Sequence, residues 1–211
     1  PIRVYPPGLN QKKFSNFSPK FGVQLHPAAD VMIYASYSEG YKTGGWTTRY
    51  TNPQPDAQGF DEEEAATYEV GLKSQFLHRF QLNAAVFQTD YDGIQLNFQE
   101  STSPTLRNAG DARIRGFELE TSTLLTDSLT LDASVGYLDS EYLSVLPGVQ
   151  VVSGPSALQA GTIIGAELPK TPEWKINVSP RFEAPLGSGS LLFVADYTYQ
   201  SESWNNAQRT F

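Results

Sequence analysis

The feature of this chain that most constrains its fold is a rhythm of two. Val31, Ile33, Ala35 and Tyr37 alternate with Met32, Tyr34, Ser36 and Ser38. Leu129, Leu131, Ala133, Val135 and Tyr137 alternate with Thr130, Asp132, Ser134 and Gly136. Leu191, Phe193, Ala195, Tyr197 and Tyr199 repeat it, although Leu192 and Val194 make that run apolar on both faces at its start. A period of two sends alternate side chains to opposite faces of a strand. Such runs, joined by connections that are short, then long, then short, predict antiparallel up-and-down strands. Apolar on the outside and polar within, they describe a transmembrane β-barrel.

Composition does not oppose this. Hydrophobic residues are 39% of the chain and mean hydropathy is −0.36. No run approaches the roughly 18 apolar residues of a membrane-spanning helix. A barrel needs none, because only every second strand residue meets lipid. The 11 Tyr and 12 Phe suit aromatic girdles at two membrane interfaces. A net charge of −8 disfavours a nucleic-acid partner, and the absence of cysteine removes disulfides and thiolate metal sites. No signal peptide opens the chain, which starts at Pro1; the expectation is an internal piece of a longer protein.

The pattern predicts about eight strands, near residues 17–25, 31–42, 66–77, 80–98, 108–125, 129–143, 173–184 and 190–204. The fourth carries a bulge near Asp92-Gly93, where apolar parity shifts to Ile94, Leu96 and Phe98. Tight turns fall at 26–30, 78–79, 126–128 and 185–189, and long connections at 43–65, 101–107 and 144–167. Outer-membrane barrels turn tightly on the periplasmic side, which assigns the long connections to the cell exterior.

Five stretches then resemble one family. They are Phe17-Ser18-Pro19-Lys20-Phe21-Gly22, Tyr34 to Gly45, Tyr68-Glu69-Val70-Gly71-Leu72-Lys73-Ser74, Leu82 to Phe87, and Asn108-Ala109-Gly110 with Arg113-Ile114-Arg115-Gly116-Phe117-Glu118-Leu119-Glu120. Their order and content are similar to the barrel of TonB-dependent outer-membrane receptors. The resemblance implies a barrel of about 22 strands closed by a separate N-terminal plug. It also implies import of a scarce nutrient, most commonly a ferric siderophore or other iron chelate, driven by the TonB complex. Residues 1–211 are then expected to be a single segment of that barrel without plug or TonB box, covering roughly the third quarter of the receptor. The polar end, Asn205 to Phe211, departs from a final barrel strand. The implied setting is the outer membrane of a Gram-negative bacterium. The implied partners are its lipid, the receptor's own plug, TonB through the plug, and a small chelate, with no enzymatic activity and no cofactor. The competing reading is a complete eight-stranded barrel with a structural or adhesion role, its interior filled by ion pairs.

Glu118 and Glu120, two apart on one strand face, have the spacing of a carboxylate pair. They are read as facing the lumen with Lys73, Arg113, Asp132, Lys175 and Arg181, available to one another and to the plug. Asp56 and Asp61-Glu62-Glu63-Glu64 lack the spaced acidic pattern of a Ca²⁺ loop and read as a solvated acidic connection. His26 and His78 sit at turns, and no catalytic or metal-binding constellation stands out. Trp46, Arg49 and Tyr50 combine stacking surface with one cation. They either line a vestibule for an aromatic, anionic ligand or belong to the outer aromatic belt.

Overall fold

The computed structural model describes residues 11–48, 56, 58–100, 103–147, 149, 162–207 and 209. The regular elements among them are all strands. In chain order they are β1 (Lys20–Ala28), β2 (Val31–Lys42), β3 (Gly45–Trp46), β4 (Gly59–Phe60), β5 (Glu63–Phe76), β6 (Phe80–Asp92) and β7 (Gln95–Glu100). There follow β8 (Ser103–Asn108), β9 (Ala112–Thr126), β10 (Leu129–Tyr142), β11 (Trp174–Leu186), β12 (Gly189–Val194) and β13 (Tyr197–Gln200).

Nine strands form one antiparallel sheet in the order β1-β2-β5-β6-β9-β10-β11-β12, with β13 also on β11. Since β12 and β13 share one side of β11, the sheet has eight strand positions, as the alternation predicts. β3 pairs β4, and β7 pairs β8, as separate two-stranded ribbons. Tight turns join neighbours at one end. At one of them Leu77 and His78 both take positive φ (52° and 54°), and Arg79 N–H donates to Phe76 O at 3.0 Å, closing a left-handed two-residue turn. The long connections all lie at the opposite end.

Register fixes the two faces. One row of directly opposed residues runs Leu25, Ile33, Leu72, Ala84, Leu119, Val135, Ile176 and Tyr199 across all eight positions. The adjacent row runs Gln24, Tyr34, Gly71, Ala85, Glu118, Gly136, Lys175 and Gln200. A one-residue slip between any two strands would mix these sets; the register shifts fall outside these rows, at the tight-turn ends between Leu25 and Ala28 and between Leu129 and Thr130. The apolar face has no second layer, and Val70, Val86 and Phe193 are 51%, 57% and 60% exposed. A surface of this extent calls for a non-aqueous neighbour.

The structure corrects the expected elements: β1 runs on through Ala28, and the connection expected over 43–65 carries β3, β4 and the start of β5. The strand expected over 80–98 ends at Asp92, because Gly93 takes φ +63° and turns β7 out of the sheet. Residues 103–107, expected as loop, are strand β8 returning along β7. The wall resumes at Ala112 rather than at Asn108. The last expected strand is interrupted at Ala195-Asp196 into β12 and β13. Among the described residues β1 and β12–β13 are edges and do not pair with each other. The eight positions therefore form an open wall and not a closed eight-stranded barrel.

Candidate functional site at the long-connection end

Two aromatic rows bound the apolar face. Near the tight turns, Phe76 and Phe80 stack with centroids 6.2 Å apart, and Phe182 stands opposite Phe193. Toward the long connections, Tyr37 meets Tyr68 at 5.0 Å, and Phe117, Tyr137 and Trp174 form a triad with centroids 4.9–6.0 Å apart. From Tyr68 to Phe76, or from Trp174 to Phe182, is eight residues. That is about 26 Å along a strand, or about 20 Å along the normal at a tilt near 40°. With the rings added, this matches the apolar band of about 25 Å in outer-membrane barrels.

Beyond the upper aromatic row the same face becomes charged. Arg115 lies between Gln88 and Asp139, and Arg113 between Asp90 and Glu141. Arg113 Nε reaches Asp90 Oδ1 at 2.6 Å, and Arg115 Nη2 reaches Asp139 Oδ2 at 2.6 Å. This corrects the grouping of Arg113 with Glu118 and Glu120. Arg113 and Glu118 are five positions apart, an odd offset, so the two project from opposite faces of β9. Farther on, burial and then the neighbouring Asp111 charge push the Asp92 carboxyl above its ordinary range.

The other expected residues share the polar face. Glu118, Gly136 and Lys175 lie in one row, and Lys73, Asn83, Glu120, Ser134 and Asn177 in the next. Asp132 stands between Ser122 and Ser179, and Arg181 opposes Thr130. Asn83 Nδ2 donates to Glu120 at 3.5 Å, Lys73 Nζ lies 5.9 Å from the Tyr34 ring centroid, and Arg181 contacts Glu183 at 3.3 Å.

Toward the long connections the polar face turns apolar. Tyr91, Ala112 and Tyr142 share one row there, with Ile114 in the next. Against them pack Ile94, Phe98, Ala109, Val149, Ala166 and Leu168, each at most 8% exposed. The long connections thus fold over the polar-face side of the wall. Ser140 Oγ holds one of them, accepting the Leu168 N–H at 3.1 Å and bonding Thr171 Oγ1 at 2.7 Å.

Polar ties join the connections to one another. Gln95, 6% exposed, donates from Nε2 to Thr43 O at 3.1 Å and Asp61 O at 2.9 Å. Thr47 Oγ1 donates to Leu106 O at 3.1 Å and accepts Leu106 N–H at 3.3 Å. Trp46 lies in this region on β3, half-buried and opposite Gly59, in a ribbon separate from the wall's sheet. Arg49 and Tyr50 lie outside the described residues. A cleft of about 200 Å³ opens among the connections, lined in part by Thr47, Gln58, Arg107, Leu146 and Pro147. Reasoning from the sequence missed this assembly, although Asn108-Ala109-Gly110 and the parity change at Ile94 were its visible signals.

An antiparallel up-and-down sheet with one apolar face between aromatic rows, tight turns at one end and long connections at the other, is the wall of an outer-membrane type of β-barrel. The chain belongs to the TonB dependent receptor-like β-barrel family, whose model matches residues 3–211. It is 31% identical over 125 residues to the probable TonB-dependent siderophore receptor PiuA of Acinetobacter baumannii, covering 57% of this chain and 16% of that protein. To the metal-pseudopaline receptor CntO of Pseudomonas aeruginosa it is 28% identical over 152 residues, covering 70% and 20%. The crystal structure of the ferric yersiniabactin uptake receptor FyuA from Yersinia pestis superposes with a TM-score of 0.71 at 23% identity, over 90% of this chain and 26% of that one. That of the siderophore receptor PiuA gives 0.67 at 27% identity, over 90% and 27%. The chain therefore spans a fifth or less of these relatives' sequences and about a quarter of the solved chains.

Proposed function

We propose that the chain is a section of the barrel wall of an outer-membrane receptor that imports an iron(III) or other metal chelate with energy delivered by TonB through a plug domain. The observation that carries this is the division of the wall into an apolar band and a folded unit of long connections at one end. The band suits lipid, and the connections present a sheltered surface at the mouth of the barrel. The cargoes named for PiuA and CntO, a siderophore and metal-pseudopaline, support a metal chelate as the substrate class.

On this reading the long connections face the medium and the tight turns the periplasm. Lys73, Glu118, Glu120, Asp132, Lys175 and Arg181 face the lumen, where the plug meets them. Trp46, with Arg49 and Tyr50 beyond Thr47 and Thr48 in the same connection, supplies stacking surface and a positive charge to an aromatic, anionic chelate. The test is the triple variant W46A/R49A/Y50A in the full-length receptor. Uptake of radioactive iron(III) as a catecholate or a hydroxamate chelate should fall by about tenfold or more, with the assembled barrel equally abundant. Unchanged uptake of a chelate that the unsubstituted receptor carries would remove these residues from the binding surface.

A further inference from the structure

We infer that Asn108 is a positioning residue that clasps all three long connections into one body, and that chelate capture depends on this clasp; the second half rests on the transport reading above. Asn108 ends β8, and its carboxamide bonds in two directions at once. Nδ2 lies 2.7 Å from Gly93 O, 3.0 Å from Asp61 O and 3.2 Å from Glu62 O, while Oδ1 accepts the Asp61 N–H at 2.7 Å. The exchange with Asp61 copies one rung of a β-ladder, so a side chain substitutes for a strand in satisfying that backbone.

The next three residues extend the hold to the other connections. Ala109 N–H donates to Ile94 O, and Ala109 O accepts Leu146 N–H, both at 2.8 Å. Gly110 O accepts Ile94 N–H at 2.8 Å. Gly110 has φ +140°, and a Cβ there would lie 2.2 Å from Ser144 O, so this close crossing requires glycine. Asp111 N–H donates to Ser144 Oγ at 3.0 Å, that hydroxyl donates back to Asp111 Oδ2 at 2.7 Å, and Asp111 O accepts Leu143 N–H at 2.9 Å. Four consecutive residues thus bond to the connection before β5, to the β6–β7 bend and to the connection after β10. A disturbance at Asn108 reaches all three.

Only asparagine fits the first of these positions. Aspartate keeps the shape but loses the donor, setting a carboxylate against three carbonyl oxygens; glutamine is one methylene too long. The experiment is hydrogen exchange on the full-length receptor carrying N108D, with N177D on the wall as a control for the same chemical change. The clasp predicts that amides in 58–62, 93–98 and 143–146 exchange about tenfold faster together in N108D and not in N177D, with the barrel's heat-modifiable migration unchanged. Loosening confined to 58–62, or absent, would overturn it. Should N108D fail to assemble, N108A removes the same bonds without adding charge and is read in the same way.

Binding of radioactive iron(III) as a catecholate and as a hydroxamate chelate is measured on the same samples. Affinity for the chelate bound by the unsubstituted receptor should fall about tenfold with the protection. Protection lost with affinity intact overturns the link between clasp and capture. If the unsubstituted receptor binds neither chelate, the transport reading fails for these cargoes, while the exchange result still decides the clasp.

Discussion

The wall and the unit of long connections are held by opposite means. In the wall, backbone ladders run through eight positions and large apolar side chains such as Val70, Val86 and Phe193 remain half-exposed. In the unit, ladders are short, yet the buried apolar side chains among the described residues are found there, at the wall's edge beneath it, and at Ala207 of the segment after β13 that packs with them. On the proposed reading the wall suits lipid, a solvent that offers its backbone no hydrogen bonds and tolerates its side chains. The unit is built for water, where burial must hold it. A single strand crosses both regimes: on β9, Leu119 faces the band while Ala112 lies at 0% exposure beneath the unit.

The largest expected effect breaks the unit and spares the wall. Tyr142 is 1% exposed, and Y142A should cost the unit about 3–5 kcal/mol. Hydrogen exchange in 93–111 and 143–168 should rise while heat-modifiable migration persists; joint melting of the wall would show that the two regions are not separable. Next comes a pair of substitutions on opposite faces of β6. V86R places a charge in the band and should cost about 2–4 kcal/mol, seen as less assembled receptor. N83R, on the other face and opposite Glu120, should cost less than about 1 kcal/mol. The reverse order would invert the faces.

Smaller still is a contrast between two glycines of the wall. A Cβ on Gly116 would lie 2.0 Å from Tyr137 O, whereas one on Gly136 meets nothing within 4 Å. G116A should therefore cost about 1–3 kcal/mol by forcing β9 and β10 apart. G136A should be neutral or stabilising by about 0.5–1 kcal/mol. Denaturant midpoints of the refolded receptor measure both, and equal midpoints would contradict the close approach at Gly116.

The contrast also explains what could be read from the sequence. In the band each face has one solvent, so alternation reports it directly, and the rows through Ile33, Leu131 and Ile176 follow from the pattern alone. Alternation fails where a face changes solvent along a strand. Arg113 and Arg115 carry the parity of Phe117 and Leu119 but lie beyond the aromatic row, so charge alone misassigned Arg113 to the opposite face. Ile94 and Phe98 look like a continuation of β6 with shifted parity. Gly93 instead sends them into a ribbon whose burial depends on Tyr142 and Leu168, distant in sequence. The clasp was visible only as Asn108-Ala109-Gly110, since no local pattern reveals which carbonyls an asparagine will meet. Arg49 and Tyr50 lie outside the described residues, so their part of the expectation rests on the triple variant.

The central claim is that the two ends of this wall lie on opposite sides of one membrane. Single cysteines at Asp56, in a long connection, and at Asp127, in a tight turn, test it in the full-length receptor on intact cells treated with a membrane-impermeant maleimide. The account predicts labelling above the unsubstituted receptor at position 56 in intact cells, and at position 127 only after the outer membrane is permeabilised. Labelling of position 127 in intact cells, with position 56 protected, would contradict it.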